Sequence, residues 1–183
     1  CTVGGYEEVG KNMTAIKVGD DVIIFDAGIF LPAVIELQES ENQEEYSEKL
    51  MRQVKAIPND LVLDDLGRSA KVRAIVIGHA PLDHVGGAPY LVHRYPNAEV
   101  IGTPFTMSFL KTILDDEKMS IPNKIRIVKP NSHLTIPGAS GLIKLEFIHT
   151  THSTIQCVLV VWHSRDGVFF YDLDFKFDNY PVI

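Results

Sequence analysis

Val72-Arg73-Ala74-Ile75-Val76-Ile77-Gly78-His79-Ala80-Pro81-Leu82-Asp83-His84-Val85-Gly86-Gly87 is the stretch that decides the fold. Its first six residues are apolar apart from Arg73, which predicts a buried strand running straight into a loop. A loop leaving a buried strand can turn several side chains towards one point. Here His79, Asp83 and His84 follow in close succession, and imidazole nitrogen with carboxylate oxygen suits a Zn²⁺ ion.

Three further segments pair a strand end with His or Asp. Asp26-Ala27-Gly28 closes the run Val22-Ile23-Ile24-Phe25. His149-Thr150-Thr151-His152-Ser153 follows Ile143–Ile148, and Asp172-Leu173-Asp174 follows Val168–Tyr171. Taken singly, each reads as a turn residue or a cap. Taken together they predict groups meeting along one edge of a layered sheet. His149 lies three residues before His152, so on an extended strand the two face opposite ways. Asp172 would share the face of Asp174 if the strand continued.

The rest of the chain supports an α/β layered domain. Thr14–Val18 and Val22–Asp26, joined by Gly19-Asp20-Asp21, predict a hairpin whose second strand is central. Residues 36–56 are strongly charged, with Leu50, Val54 and Ile57 at helical spacing, so the later part predicts a surface helix. A helix is predicted over Gly86–Tyr95, with Pro89 in its first turn, and another over Pro104–Leu114 capped by Thr103. Short strands are predicted at Glu99–Gly102, Lys124–Val128, Ile143–Ile148, Val158–Trp162 and Val168–Tyr171. His93, His133 and His163 read as surface residues, His133 in a Pro-rich loop.

With 183 residues and 45% hydrophobic composition, the chain can bury one core. A formal net charge of −7 argues against gripping nucleic acid through overall charge, though a metal centre would supply local positive charge. Cys1 and Cys157 show no paired spacing and read as buried free thiols, which points to a reducing, cytoplasmic setting. No apolar run reaches the roughly 18 residues of a membrane span, so no membrane partner is expected.

The motif series resembles a known family. Gly4-Gly5-Tyr6-Glu7-Glu8-Val9-Gly10-Lys11-Asn12-Met13 looks like the N-terminal signature of the ribonuclease J branch of the β-CASP metallo-β-lactamase nucleases, nearest to archaeal members. Gly78–Gly87 is similar to that superfamily's His-x-His-x-Asp-His loop followed by Gly-Gly. Asp26-Ala27-Gly28, Thr151-His152-Ser153 and Asp174-Phe175-Lys176-Phe177-Asp178 resemble its other motifs. The resemblance implies a metallo-β-lactamase-type αββα sandwich over residues 1–183, without the β-CASP insertion. It also implies up to two zinc ions and an RNA substrate. One zinc would take His79 and His152 with the loop's second histidine; the other would take Asp83 and His84, also the residues carrying catalysis. Asp174 would bridge the two, and Asp26 would support a ligand rather than be one.

Three departures qualify that expectation. The loop's second histidine is Pro81, which offers no donor atom, so the first zinc site is expected to be weakened or empty. His149 and Asp172 are additional to the pattern and stand as possible extra ligands or supporting residues. The resemblance also places the β-CASP insertion near Ile183, so the chain is expected to be part of a longer nuclease domain, with a surface that a second copy or a partner chain covers. The leading expectation is a metal-dependent RNA phosphodiesterase core with impaired activity. A non-catalytic or engineered scaffold of the same fold is the alternative. A small-substrate metallo-hydrolase such as a thioesterase or lactonase is a weaker one.

Overall fold

Val22–Phe25 is apolar on both faces, and the structure, a computed structural model describing residues 1–40 and 46–177, buries every one of these residues. In chain order the elements are β1 (Thr2–Gly4), β2 (Met13–Val18), β3 (Asp21–Phe25), α1 (Leu31–Glu39), α2 (Glu48–Gln53), β4 (Lys71–Ile77), α3 (Leu82–Val85), α4 (Ala88–Leu91), β5 (Glu99–Gly102), α5 (Pro104–Asp116), β6 (Ile125–Ile127), β7 (Ser132–Gly138), β8 (Gly141–His149), β9 (Val158–Ser164) and β10 (Gly167–Tyr171). Short 3₁₀ turns cover Asp60–Leu66 and Val92–Arg94.

The first sheet has the order β1-β2-β3-β4-β5-β6. The hairpin β2–β3 is antiparallel as expected, and β3 to β6 run parallel. The second sheet, β10-β9-β8-β7, is antiparallel throughout. Strand alternation divides the interior into two cores. Ile24, Ile75 and Ile77 face the helices and pack with Leu91, Leu110 and Leu114. Ile23, Phe25, Ala74 and Val76 face the second sheet and meet Phe147, Val160 and Trp162. Each such large side chain taken wholly out of water contributes about 1.5–3 kcal/mol. The layers therefore run helix, sheet, sheet, which supplies three of the four layers of the expected αββα sandwich; no helix among the described residues covers the outer face of the second sheet. The outer face of the second sheet exposes Leu142, Val168 and Phe170.

Several local expectations need correction. The helix predicted over Gly86–Tyr95 is broken into α4 and a 3₁₀ turn, and α3 begins earlier, in the loop itself. The charged stretch carries α2, with Leu50 buried, but α1 precedes it, and residues 41–45 lie outside the described ones. Thr103 occupies the cap position of α5, yet its hydroxyl meets that of Thr106 at 3.0 Å instead of a backbone N–H. His133 is not in a loop but on β7, an edge strand on which Pro137 is tolerated. Cys157 is buried and free as expected, whereas Cys1 is exposed. No helix among the described residues is long and apolar enough to cross a membrane.

Candidate metal centre

Because β3 and β4 are parallel neighbours, their carboxyl ends deliver Asp26 and His79 to the same sheet edge. Both β8 and β10 run antiparallel to β9, so the second sheet delivers the loops carrying His152 and Asp174 to that edge together. Backbone contacts lock the meeting point. Asp26 N–H donates to the Val76 carbonyl at 2.8 Å, Ala27 N–H to His84 at 2.8 Å, and Ile29 N–H to Leu82 at 3.0 Å. Gly28 lies so close under the loop that a Cβ there would overlap the Asp83 carbonyl. Leu173 packs over Gly78 in the same manner and so seats the residue that follows it, Asp174.

His79, His84 and Asp174 each offer a ligand atom within 4.8 Å of the others, a group that could hold a metal ion. The His79 and His84 rings stand 3.9 Å apart, and the His152 ring meets His79 edge-on at 5.5 Å. His79 is fully buried, and neither of its ring nitrogens has a hydrogen-bond partner. A buried polar group without a partner costs free energy, which a coordinated cation would offset. Burial, followed by the charge on His84, holds the His79 pKa down at about 4 and keeps the ring neutral, the form that ligates.

His84 is held differently. Its Nδ1 donates to Asp26 Oδ2 at 2.7 Å, while its Nε2 faces Asp83 Oδ2 at 3.4 Å and Asp174 Oδ2 at 3.5 Å. Burial opposes a charge here, but Asp26, Asp174 and Asp83 outweigh it and raise the His84 pKa to about 12. The hydrogen bond from His84 in turn lowers the carboxyl pKa of both Asp83 and Asp174. Protonated, His84 stands in for the positive charge that three carboxylates demand. The donor set and the unpartnered His79 nitrogens thus fit a divalent cation.

Asp26 lies beneath this group, fully buried, with φ at 61°. A non-glycine residue in that left-handed region is strained by about 1–3 kcal/mol, and its hydrogen bonds offset the strain. Asp26 Oδ1 accepts from Gly78 N–H at 3.0 Å, and Oδ2 accepts from Tyr171 Oη at 3.0 Å as well as from His84. Two residues of the site carry no signal in isolated spacing. Asn12 Nδ2 donates to Asp83 Oδ2 at 3.4 Å and lies 3.1 Å from His84 Nε2. Tyr171, at the end of β10, is the other. Asn12 sits inside the Gly4–Met13 stretch, which was the available clue.

His149 and Asp172 are not brought into the group. His149 ends β8 exposed, with its backbone N–H held by Asn131 Oδ1 at 2.9 Å. The extended β10 stops at Tyr171, so Asp172 loses the same-face relation to Asp174 and stays exposed. Pro81 precedes α3 with φ −57°, and its carbonyl accepts from His84 N–H at 2.9 Å and Val85 N–H at 3.1 Å. The loop's helical turn therefore starts on a residue whose φ suits it, but which gives no ligand atom. Asp178 lies outside the described residues.

Known proteins resemble this chain in sequence and in fold. Ribonuclease J of Methanocaldococcus jannaschii is 41% identical over 99% of this chain and 39% of its own length. Ribonuclease J of Pyrococcus abyssi is 37% identical over 97% of the chain and 38% of its own. The chain thus spans about two-fifths of the length of these relatives. Among solved structures, a protein of unknown function from Enterococcus faecalis V583 superposes with a TM-score of 0.65 at 13% identity, over 92% of this chain and 41% of that one. A Cronobacter sakazakii metallo-β-lactamase described by a HARLDQ motif gives 0.56 at 15% identity, over 95% and 56%. Residues 6–176 match the family described as the metallo-beta-lactamase superfamily, and to that superfamily this chain belongs.

Proposed function

We propose that the chain is the metal-binding core of a ribonuclease J-like RNA phosphodiesterase. The observation that carries this reading is His79: buried, neutral, with both ring nitrogens unpartnered, and facing His84, Asp174 and His152. His79 and His152 would hold one zinc, Asp83 and His84 a second, and Asp174 would stand between them. Bound zinc activates water and stabilises charge on phosphate oxygens. The chain's own residues orient that centre. Asp26 fixes the His84 ring, and Leu173 over Gly78 sets the backbone that presents Asp174. Similarity to the two archaeal ribonucleases supports RNA as substrate.

Pro81 favours a second reading. The loop lacks one imidazole, so the first ion binds weakly and catalysis is impaired, or the fold serves as a non-catalytic scaffold. The exposed Leu142, Val168 and Phe170 support a surface that a second copy or partner chain covers. Zinc analysis of protein purified without chelator, alongside cleavage of a single-stranded RNA, tests both readings. Bound zinc with cleavage abolished in His84→Ala supports the nuclease. Bound zinc without cleavage supports the scaffold, and no stoichiometric zinc overturns the metal centre itself.

A further inference from the structure

We infer that Tyr171 is a positioning residue for this metal centre, acting through Asp26 to aim His84 Nε2 at the ion. The inference rests on the metal-centre reading above. Tyr171 Oη, His84 Nδ1 and the Gly78 N–H all converge on one buried carboxylate, at 3.0, 2.7 and 3.0 Å. Asp26 Oδ2 is shared between the phenol and the imidazole, and Oδ1 is taken by the backbone of the metal loop. With its oxygens so committed, the carboxylate cannot rotate without breaking one of these bonds.

The consequence for His84 is geometric. A carboxylate held in place accepts from Nδ1–H, which leaves Nε2 as the nitrogen that would face an ion once its proton is displaced, and fixes the plane of the ring. Without the phenol, Asp26 would keep its His84 bond but lose the contact that sets the angle of approach. Tyr171 itself is well anchored: its ring stacks on Phe25 at 4.9 Å between centroids. Its hydroxyl is held in the donor form, because burial and then the Asp26 charge raise its pKa.

The placement also joins the two sheets. Phe25 ends β3 and Asp26 follows it, whereas Tyr171 ends β10 in the second sheet. Asp174 follows three residues after Tyr171 on the same chain segment. One hydrogen bond therefore orients a ligand from the first sheet and pins the strand end that supplies a ligand from the second. A tyrosine needed only for packing would be replaced by phenylalanine without consequence, since the Phe25 stack survives.

Tyr171→Phe separates the two roles. Co²⁺ and Zn²⁺ affinities are measured by chelator competition, with the Co²⁺ ligand-field spectrum and the melting temperature of the metal-free protein recorded in parallel. Positioning predicts an affinity loss of about 10-fold or more and a shifted Co²⁺ spectrum, with metal-free melting little changed. Unchanged affinity and spectrum overturn the inference. If the wild-type chain loads no metal, the metal-centre reading fails on its own. The Nδ1 proton resonance of His84 in the metal-free protein then decides the Tyr171 contact: a resonance unmoved in Tyr171→Phe overturns it, and one that shifts or broadens supports it.

Discussion

His79 and His84 have opposite pH signatures in the metal-free protein, although their rings are 3.9 Å apart. The His79 pKa falls to about 4 on folding, so its stability contribution is complete above about pH 6.5 and is lost as pH drops towards 4. The His84 pKa rises to about 12, so its contribution is complete below about 6.5 and declines as pH climbs through the folded value. Metal-free protein should therefore show its greatest stability near pH 6.5 as far as these two residues decide it. Denaturant midpoints from pH 4 to 9 should trace that maximum, and His79→Gln should flatten the acid side. A midpoint indifferent to His79→Gln below pH 6 would refute the assignment. Zinc held by His84 would reverse the alkaline trend, because it would compete with the proton there and bind more tightly as pH rises. Pro81→His supplies the imidazole that the loop lacks. It should tighten zinc binding by about tenfold, close to 1.4 kcal/mol, and raise the metal content per chain. An unchanged content would mean that the deficit is not confined to residue 81.

The loop from Gly78 to Gly87 depends on glycines whose purpose is not visible in the sequence. Gly28 and Gly87 permit β3 and the α3 region to approach until Gly87 N–H donates to the Ala27 carbonyl at 2.8 Å. Gly28→Ala forces a methyl against the Asp83 carbonyl and should cost about 1–3 kcal/mol, with zinc affinity falling alongside. A lower denaturant midpoint at unchanged m-value is the expected result, and a neutral substitution would show that the loop can yield. The long periodic segments are legible: the β2–β3 hairpin, β4, β5, α5 and the strands β8, β9 and β10 follow from alternation and turn residues. The missed elements are those whose local signals conflict with their tertiary role. β7 contains Pro137 and follows Pro130-Asn131, so it reads as loop until pairing with β8 makes it a strand. The Gly86–Tyr95 helix breaks because the loop's approach to Ala27 fixes its start. The family resemblance names His79, Asp83, His84, His152 and Asp174, of which the structure brings His79, His84 and Asp174 within ligand distance of one another. Tyr171 and Asn12 could not be given roles, because contacts spanning 145 and 72 residues leave no trace in spacing.

Across the whole molecule, burial is uneven, and that asymmetry carries a prediction. The first sheet is covered on both faces, by helices and by the second sheet. The second sheet has only its inner face covered by that core, and Leu142, Val168 and Phe170 point the other way, at 65%, 68% and 48% exposure. On the same side β10 is an edge strand, paired with β9 alone among the described residues. Exposed apolar side chains beside an unpaired edge, here interspersed with Lys144, Glu146 and His163, are a template for association. Burying these side chains against another surface would recover about 25 cal/mol for each Å² removed from water. Sedimentation of the chain over rising concentration should therefore show reversible association through this face. Phe170→Lys and Val168→Lys should each shift it towards monomer without altering the far-ultraviolet circular dichroism, since neither side chain belongs to the buried core. The candidate metal centre lies at the strand ends rather than on this face, so any zinc content should stay the same in both variants. Association that survives both substitutions would place the contact elsewhere, and a chain that stays monomeric at every concentration would remove the docking role from this sheet.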